Sequence, residues 1–245
     1  MLFFLLFVLG DSPQFDLLKA TPVGSWQERE ETMTDANGRQ TLNVVRSSMV
    51  GKEERDGENH YWLEMETQTF ELKKGKRKPK GDPTIMKALI AESAFKTDPG
   101  NVLKNLSAFG KDIIIQTGKN KPMRITGAGA MAQGLMAAFG VELKYDFEDL
   151  GHESVTVAGG TFDCDKWKGH GFSKSKILFK EMEIESDATQ WVSEKVPFGT
   201  VKTEGTSKVN GSKSQHSAQL MAFGMEGATS KITEEPTEMP KMFGQ

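Results

Sequence analysis

The residues of this chain best suited to chemistry are Asp163, Cys164 and Asp165, with His170 five residues further on. A thiol beside an imidazole can form a nucleophilic pair, and thiol, imidazole and carboxylate groups together can ligate a metal. On a strand, however, successive side chains point to opposite faces, so both aspartates face away from Cys164. We therefore interpret Cys164 as a small buried side chain flanked by exposed aspartates, and we predict no catalytic residue in this run.

Other motifs for metal or phosphate chemistry are incomplete. The four histidines, at positions 60, 152, 170 and 216, do not show the spacing that places two metal ligands on one helix face. The glycine-rich run TGAGAMAQG, residues 126–134, lacks the dinucleotide-binding spacing and the lysine of a phosphate loop. We expect no metal and no cofactor, and we expect the small residues of this run to let a helix approach the sheet closely.

A basic run, KKGKRKPKG, occupies residues 73–81. Closely spaced cations can lie on anionic lipid headgroups, where each contributes about 1 kcal/mol. No aromatic residue is interleaved, so a solvated loop between a strand and a helix is the simpler interpretation. If the run contacts an anionic membrane surface, the contacting residues are Lys73, Lys74, Lys76, Arg77, Lys78 and Lys80.

The composition limits the classes of partner. The chain has 245 residues, with 31 Lys and Arg against 34 Asp and Glu, a net charge of -3. Without a basic field, nucleic acid is excluded as a leading partner. The single cysteine excludes an internal disulfide and fits either the cytoplasm or the periplasm.

An apolar run, MLFFLLFVLG, opens the sequence. It is shorter than the roughly 20 apolar residues that a membrane-spanning helix needs, but it suits the apolar core of a secretory signal peptide. The basic residues that usually precede such a core are missing, so a truncated signal peptide and a buried N-terminal strand or helix are both open interpretations. We favour export and expect a periplasmic or secreted protein.

Most of the chain has the period of antiparallel strands. Apolar and charged residues alternate in VELKYDFE, residues 141–148, and similar alternation occurs in HYWLEMETQTF, residues 60–70. Asp-Pro pairs at positions 82 and 98 are typical helix starts, and residues 130–139 form a third helical candidate. Helices grouped between strands, rather than alternating with them, predict an α+β fold.

Two turn motifs resemble those of a known family. The first is the hairpin ESVTVAGGTFDCDKW, in which the two glycines supply the positive φ of a tight turn. The second is WVSEKVPFGTVK, in which Pro197 breaks the strand ladder and Phe198 is expected to tuck into the rim of the sheet. Their order resembles a bacterial envelope family of unknown function, related to the lipoprotein-carrier-like half barrels.

The resemblance covers roughly residues 25–223 and implies a strongly curved antiparallel sheet, or half barrel, wrapped around a few short helices. In that superfamily the sheet leaves an apolar cavity for lipids or hydrophobic segments. We therefore expect an N-terminal apolar segment and linker in residues 1–24, one curved-sheet domain in residues 25–224, and a disordered tail in residues 225–245.

Three functional hypotheses follow, in order of preference. The first is a non-enzymatic envelope protein that binds a hydrophobic ligand or an apolar partner in the concave face of the sheet. The second is a structural or interaction protein whose core is filled, and the third is an enzyme of unknown reaction. Because methionine adapts its shape to apolar ligands, the predicted lining residues are Met65, Met131, Met136 and Trp191.

Overall fold

The computed structural model describes residues 20–73, 75–96, 106–138, 141–177 and 180–239. Within these ranges the helices are a 3₁₀ helix (Glu92–Lys96), α1 (Leu106–Phe109) and α2 (Ala128–Ala138). The strands are β1 (Trp26–Thr34), β2 (Gln40–Arg55), β3 (Glu58–Lys73), β4 (Lys76–Pro79), β5 (Thr84–Ala91), β6 (Asp112–Thr117), β7 (Met123–Thr126), β8 (Glu142–Val157), β9 (Gly160–Ile177), β10 (Lys180–Val192), β11 (Thr200–Val209), β12 (Ser212–Gly224) and β13 (Thr237–Glu238).

All these strands belong to one sheet, in the order β13-β7-β6-β5-β3-β2-β1-β12-β11-β10-β9-β8, with β4 paired to β3. Every pairing is antiparallel except that of β13 with β7. β8 and β13 lie at opposite ends of the order, so the sheet is open. The predicted curved antiparallel sheet with a minor helical part is confirmed at this level, and the half barrel stays a prediction.

The β8–β9 hairpin shows how strongly the sheet curves. Its turn reaches β12, which is three strands away from β9 in the sheet, and the Gly159 amide donates to the carbonyl oxygen of Leu220 at 3.0 Å. A Cβ on Gly159 would lie 3.0 Å from Leu220 Cγ, which is tighter than most Cβ contacts and would require Leu220 to shift by a few tenths of an ångström. The prediction that both glycines supply positive φ is confirmed for Gly160, at 135°, and is wrong for Gly159, whose missing side chain instead favours this close approach.

Two apolar clusters stabilise the sheet. The first cluster contains Met49, Ala88, Ile90, Ala94, Phe95 and Phe198, and the second contains Val155, Phe162, Cys164, Trp191, Val196, Val201 and Leu220. The connection between β10 and β11 contributes to both, since Val196 lies in the second cluster and Phe198 in the first. Phe198 is 7% exposed, so it packs more deeply than the rim position expected for it.

The helices agree only partly with expectation. The helix predicted from Asp82 is wrong over residues 84–91, which form β5 between β3 and β6. An unbroken apolar run fits a buried strand as well as a helix, and here pairing on both edges decides for the strand. The predicted helix after Asp98 falls partly outside the described residues, while α2 confirms the third prediction. No helix in the described ranges is long and apolar enough to cross a bilayer.

Residues 225–239 form an extended segment, here called the strap, which crosses the sheet. Ile232 is 8% exposed, the Lys231 amide donates to the Glu64 carboxylate at 2.8 Å, and β13 pairs with β7. This arrangement differs from the disordered tail expected from the polar, proline-containing composition. A polar composition predicts disorder because the segment has little apolar area to bury. It does not predict that polar groups of the sheet, such as the Glu64 carboxylate, will bind the segment. Residues 1–19 and 240–245 lie outside the described residues.

Candidate functional site

Cys164 lies on β9 with its side chain in the second cluster, 2% exposed. Its thiol donates to the carbonyl oxygen of Phe162 at 3.6 Å. Burial raises the pKa of the Cys164 thiol to about 11, and the neighbouring carboxylates of Asp163 and Asp165 act in the same direction. The interpretation as a small buried side chain is confirmed.

We predict that Cys164 reacts slowly with Ellman's reagent in the folded protein. Because the pKa is about 11 rather than 9.0, the thiolate fraction at pH 8 falls about 100-fold. The folded state favours the neutral thiol, so its contribution to stability is present below pH 9 and is lost as the pH rises through about 11. The control is the same reaction in guanidinium chloride, and complete labelling within minutes in native buffer would contradict the assignment.

His170 is not a partner of Cys164. It lies six positions along β9, about 20 Å away at the rise of a strand, and its Nδ1 is 2.9 Å from Asp187 Oδ1 on β10. The imidazole that lies near the cysteine run is His152, whose Nδ1 contacts the Asp165 carboxylate. The pairing of β8 with β9 brings these two residues opposite each other.

These residues line an open cleft of about 510 Å³, here called the acidic cleft. Its walls come from β8, β9, the last residue of β10 and the residues that follow it. Lys195 Nζ lies 4.0 Å from Asp163 Oδ2. The lining residues are His152, Glu153, Ser154, Asp163, Cys164, Asp165, Val192, Ser193, Glu194 and Lys195. Four carboxylates against one ammonium and one imidazole favour a cationic group in this cleft.

The hairpin that brings His152 to Asp165 was visible in the sequence, but its register was not. The turn is Ala158–Gly159, and counting outwards from it aligns Val157 with Gly160 and His152 with Asp165, whereas a turn at the two glycines would place His152 opposite Trp167. Short-range ligand spacing does not contain this pair, because the two residues are brought together by the hairpin and not by a helix turn. Within the described residues, no group of three or more His, Cys, Asp or Glu side chains is placed to hold a metal ion.

Trp191 lies in the second cluster, 5% exposed. Its indole N–H donates to the Glu153 carboxylate, and the ammonium groups of Lys166 and Lys202 lie 5.2 and 4.7 Å from its ring centroid. The hydrogen bond from Trp191 is the main cause that lowers the pKa of the Glu153 carboxyl, followed by that from Lys166. Trp191 therefore contacts polar side chains of β8, β9 and β11.

The other three predicted lining residues are elsewhere. Met65 is half-buried on β3, opposite Ser47 and Met86, while Met131 and Met136 lie on α2, with Met131 36% exposed. Neither of the two apolar clusters includes any of these three methionines. The structure does not bring them into one cluster with Trp191.

The basic run forms the hairpin of β3 and β4 rather than a loop before a helix. Arg77 makes two hydrogen bonds to Glu30, at 2.5 and 3.0 Å. Glu71 accepts ion pairs from Lys73 at 3.2 Å and from Lys80 at 3.9 Å. Lys74 lies outside the described residues. Lys76 and Lys78 are exposed and make no ion pair with any described residue, so they carry the free charge of the hairpin.

Comparison with known proteins finds limited similarity. No protein family matches the chain, and no curated protein matches it. A solved structure of a candidate lipoprotein from Parabacteroides distasonis ATCC 8503 is 17% identical, with a TM-score of 0.39, over 83% of this chain and 96% of that one. A candidate exported protein with a YmcC-like fold from Bacteroides fragilis NCTC 9343 is 14% identical, with a TM-score of 0.37, over 83% and 97% of the two chains.

Proposed function

We propose that the protein is a non-enzymatic interaction protein of the bacterial cell envelope. The sheet face that carries the first cluster, here called the covered face, is filled by the protein's own side chains. The observation that carries this proposal is the first cluster. Phe95 of the 3₁₀ helix, Phe109 of α1 and Phe198 lie against Met49 and Ile90 of the sheet. Because these apolar side chains are already buried against each other, this face needs no hydrophobic ligand to cover it, and partners would bind the outer surface. The apolar run at residues 2–9 supports export.

Native mass spectrometry of protein purified without detergent tests this proposal. If the covered face is filled, the native mass should equal that of the polypeptide, and solvent extraction should release no acyl chain. The control is the same protein after denaturation and refolding, which should have the same mass. An extractable lipid-like compound in stoichiometric amount would contradict the filled face.

That outcome would favour the second candidate, a carrier of a hydrophobic ligand. The observation in its favour is α2, where Met131 and Leu135 are 36% and 38% exposed. Exposed large apolar side chains can mark a binding surface. The predicted ligand contacts of this alternative stay Met65, Met131, Met136 and Trp191.

An anionic membrane surface is the partner proposed for the β3–β4 hairpin, through Lys76 and Lys78. At about 1 kcal/mol for each cation, the double variant Lys76→Glu/Lys78→Glu should weaken cosedimentation with phosphatidylglycerol vesicles at least about 30-fold, because each change removes a cation and adds an anion. The matched control is Lys119→Glu/Lys121→Glu, two exposed cations in the turn between β6 and β7. Equal loss in both double variants would show a general charge effect rather than contact through the hairpin.

A further inference from the structure

A second cavity lies between the strap and the sheet, on the face opposite the first cluster. Its volume is about 140 Å³. Residues at even positions of β2 and β3 supply one wall, while Met49 of β2 points to the other face. The residues that line the cavity are Arg46, Ser48, Glu64, Glu66, Gly227, Ala228, Thr229 and Lys231.

Arg46 and Glu66, which line this cavity, are opposite in charge but do not pair. They are directly opposed in the register of β2 and β3, and opposite charges so placed normally pair across the strands. Here they form no ion pair with each other. Glu66 pairs with Lys231, and the Arg46 guanidinium carbon lies 3.7 Å from the centroid of the Trp26 ring. The cavity therefore lies between a guanidinium that packs on Trp26 and a carboxylate that pairs with Lys231.

The position of Trp26 is itself specified by packing. A Cβ on Gly224, its partner in β12, would lie 2.5 Å from Trp26 Nε1, so the ring lies directly over this glycine. The nearest carboxylate to Arg46 is that of Glu28, at 4.0 Å, which is beyond hydrogen-bond distance. Within the described chain the guanidinium therefore retains donors for a ligand in the cavity.

Glu64 provides a second anionic group in the cavity wall. It is 3% exposed and accepts hydrogen bonds from Ser230 Oγ at 2.6 Å and from the Lys231 amide at 2.8 Å. An ionised carboxylate has about four acceptor positions, so these two bonds leave capacity for another donor. Ser48, 7% exposed, adds a hydroxyl on the same face.

We propose that this cavity binds a small free α-amino acid. The carboxylate of the ligand lies on the Arg46 guanidinium and the Ser48 hydroxyl, and its ammonium lies between Glu64 and Glu66. A cavity of about 150 Å³ holds benzene, so a ligand of about six non-hydrogen atoms, the size of alanine, fits. The inference goes beyond the proposed function, because this site lies on the opposite face of the sheet from the first cluster.

Isothermal titration calorimetry with L-alanine as the probe tests the proposal. Saturable binding to one site is expected. Propionate lacks the ammonium, alanine methyl ester lacks the carboxylate, and alanyl-alanine exceeds the cavity, so each should bind at least about tenfold more weakly. No binding of alanine, or equal binding of propionate or of the dipeptide, would overturn the assignment.

Variants locate the binding. Arg46→Lys and Glu66→Gln should each weaken alanine binding at least about tenfold, while Arg77→Lys on the exposed hairpin should leave it unchanged. Ser48→Ala removes one hydroxyl without changing charge and should weaken binding severalfold, so it tests the site even if a charge variant fails to fold. Circular dichroism verifies folding. Unchanged affinity in folded Arg46→Lys and Ser48→Ala would overturn the site.

Discussion

Replacement of Phe198 by alanine is expected to lower the free energy of unfolding by about 3–5 kcal/mol, the usual cost of removing a buried aromatic ring. The ring is 7% exposed in the first cluster, and the Phe198 amide donates to Thr21 Oγ1 at 3.0 Å. Urea denaturation followed by circular dichroism measures the change. A loss below about 0.5 kcal/mol would show that the ring does not belong to the core.

The backbone of Phe198 provides a matched control. Its φ is 63°, a left-handed conformation that costs a residue other than glycine roughly 1–2 kcal/mol. Phe198→Gly removes the same ring but relieves this strain, so it should be less destabilising than Phe198→Ala by about 1 kcal/mol. Phe198→Leu keeps most of the apolar volume and should cost less than either. A glycine variant less stable than the alanine variant would contradict the left-handed conformation.

Replacement of Glu64 by alanine is expected to lower the free energy of unfolding by about 3–6 kcal/mol, the sum of two hydrogen bonds to a charged group, and to release the strap. The buried carboxylate accepts from Ser230 Oγ and from the Lys231 amide, and each bond to a charged group contributes about 1.5–3 kcal/mol. Lys87 Nζ donates to Ser230 Oγ at 3.1 Å, so the variant also disturbs a cation whose pKa burial already lowers. Hydrogen exchange of the strap amides measures the release.

The control for Glu64 is Glu66→Ala. Glu66 pairs with Lys231 through a partly exposed side chain, and such pairs contribute less than about 1 kcal/mol. Exchange in the strap should therefore rise strongly in Glu64→Ala and little in Glu66→Ala. Equal protection of the Lys231 amide in Glu64→Ala and in the unmodified protein would show that the buried carboxylate does not hold the strap.

Local patterns predicted much of the fold. Alternation in residues 141–148 correctly indicated a strand, now part of β8, and the flanking aspartates correctly indicated a buried Cys164. Residues 84–91 were assigned to the wrong element, because a continuous apolar run has no period that separates a buried helix from a strand. Pairing with β3 and β6 supplied the missing information.

The candidate sites depended more heavily on distant contacts. The described residues of the basic run are exposed, as expected, but the predicted loop before a helix is wrong, because Lys76–Pro79 form β4. Glu30, which neutralises Arg77, is 47 positions away in the chain. The role of Phe198 was predicted as a turn at the rim, whereas the curved sheet places its ring in a core cluster. Met65 and Trp191, grouped as lining residues by their type, lie on strands separated by four others.

By itself the sequence determined that residues 141–148 form a strand with one half-buried face, that the only cysteine is a packing residue, and that a hairpin turns at Gly159 or next to it. These properties depend on neighbours one or two positions apart, so local periodicity contains them. Only the tertiary structure decided that His152 meets Asp165, that the strap lies on Glu64, and that Arg46 and Glu66 stay apart across a cavity. Ser230 and Glu64 are 166 positions apart, and contacts at such separations follow from sheet order and register, which local patterns do not contain.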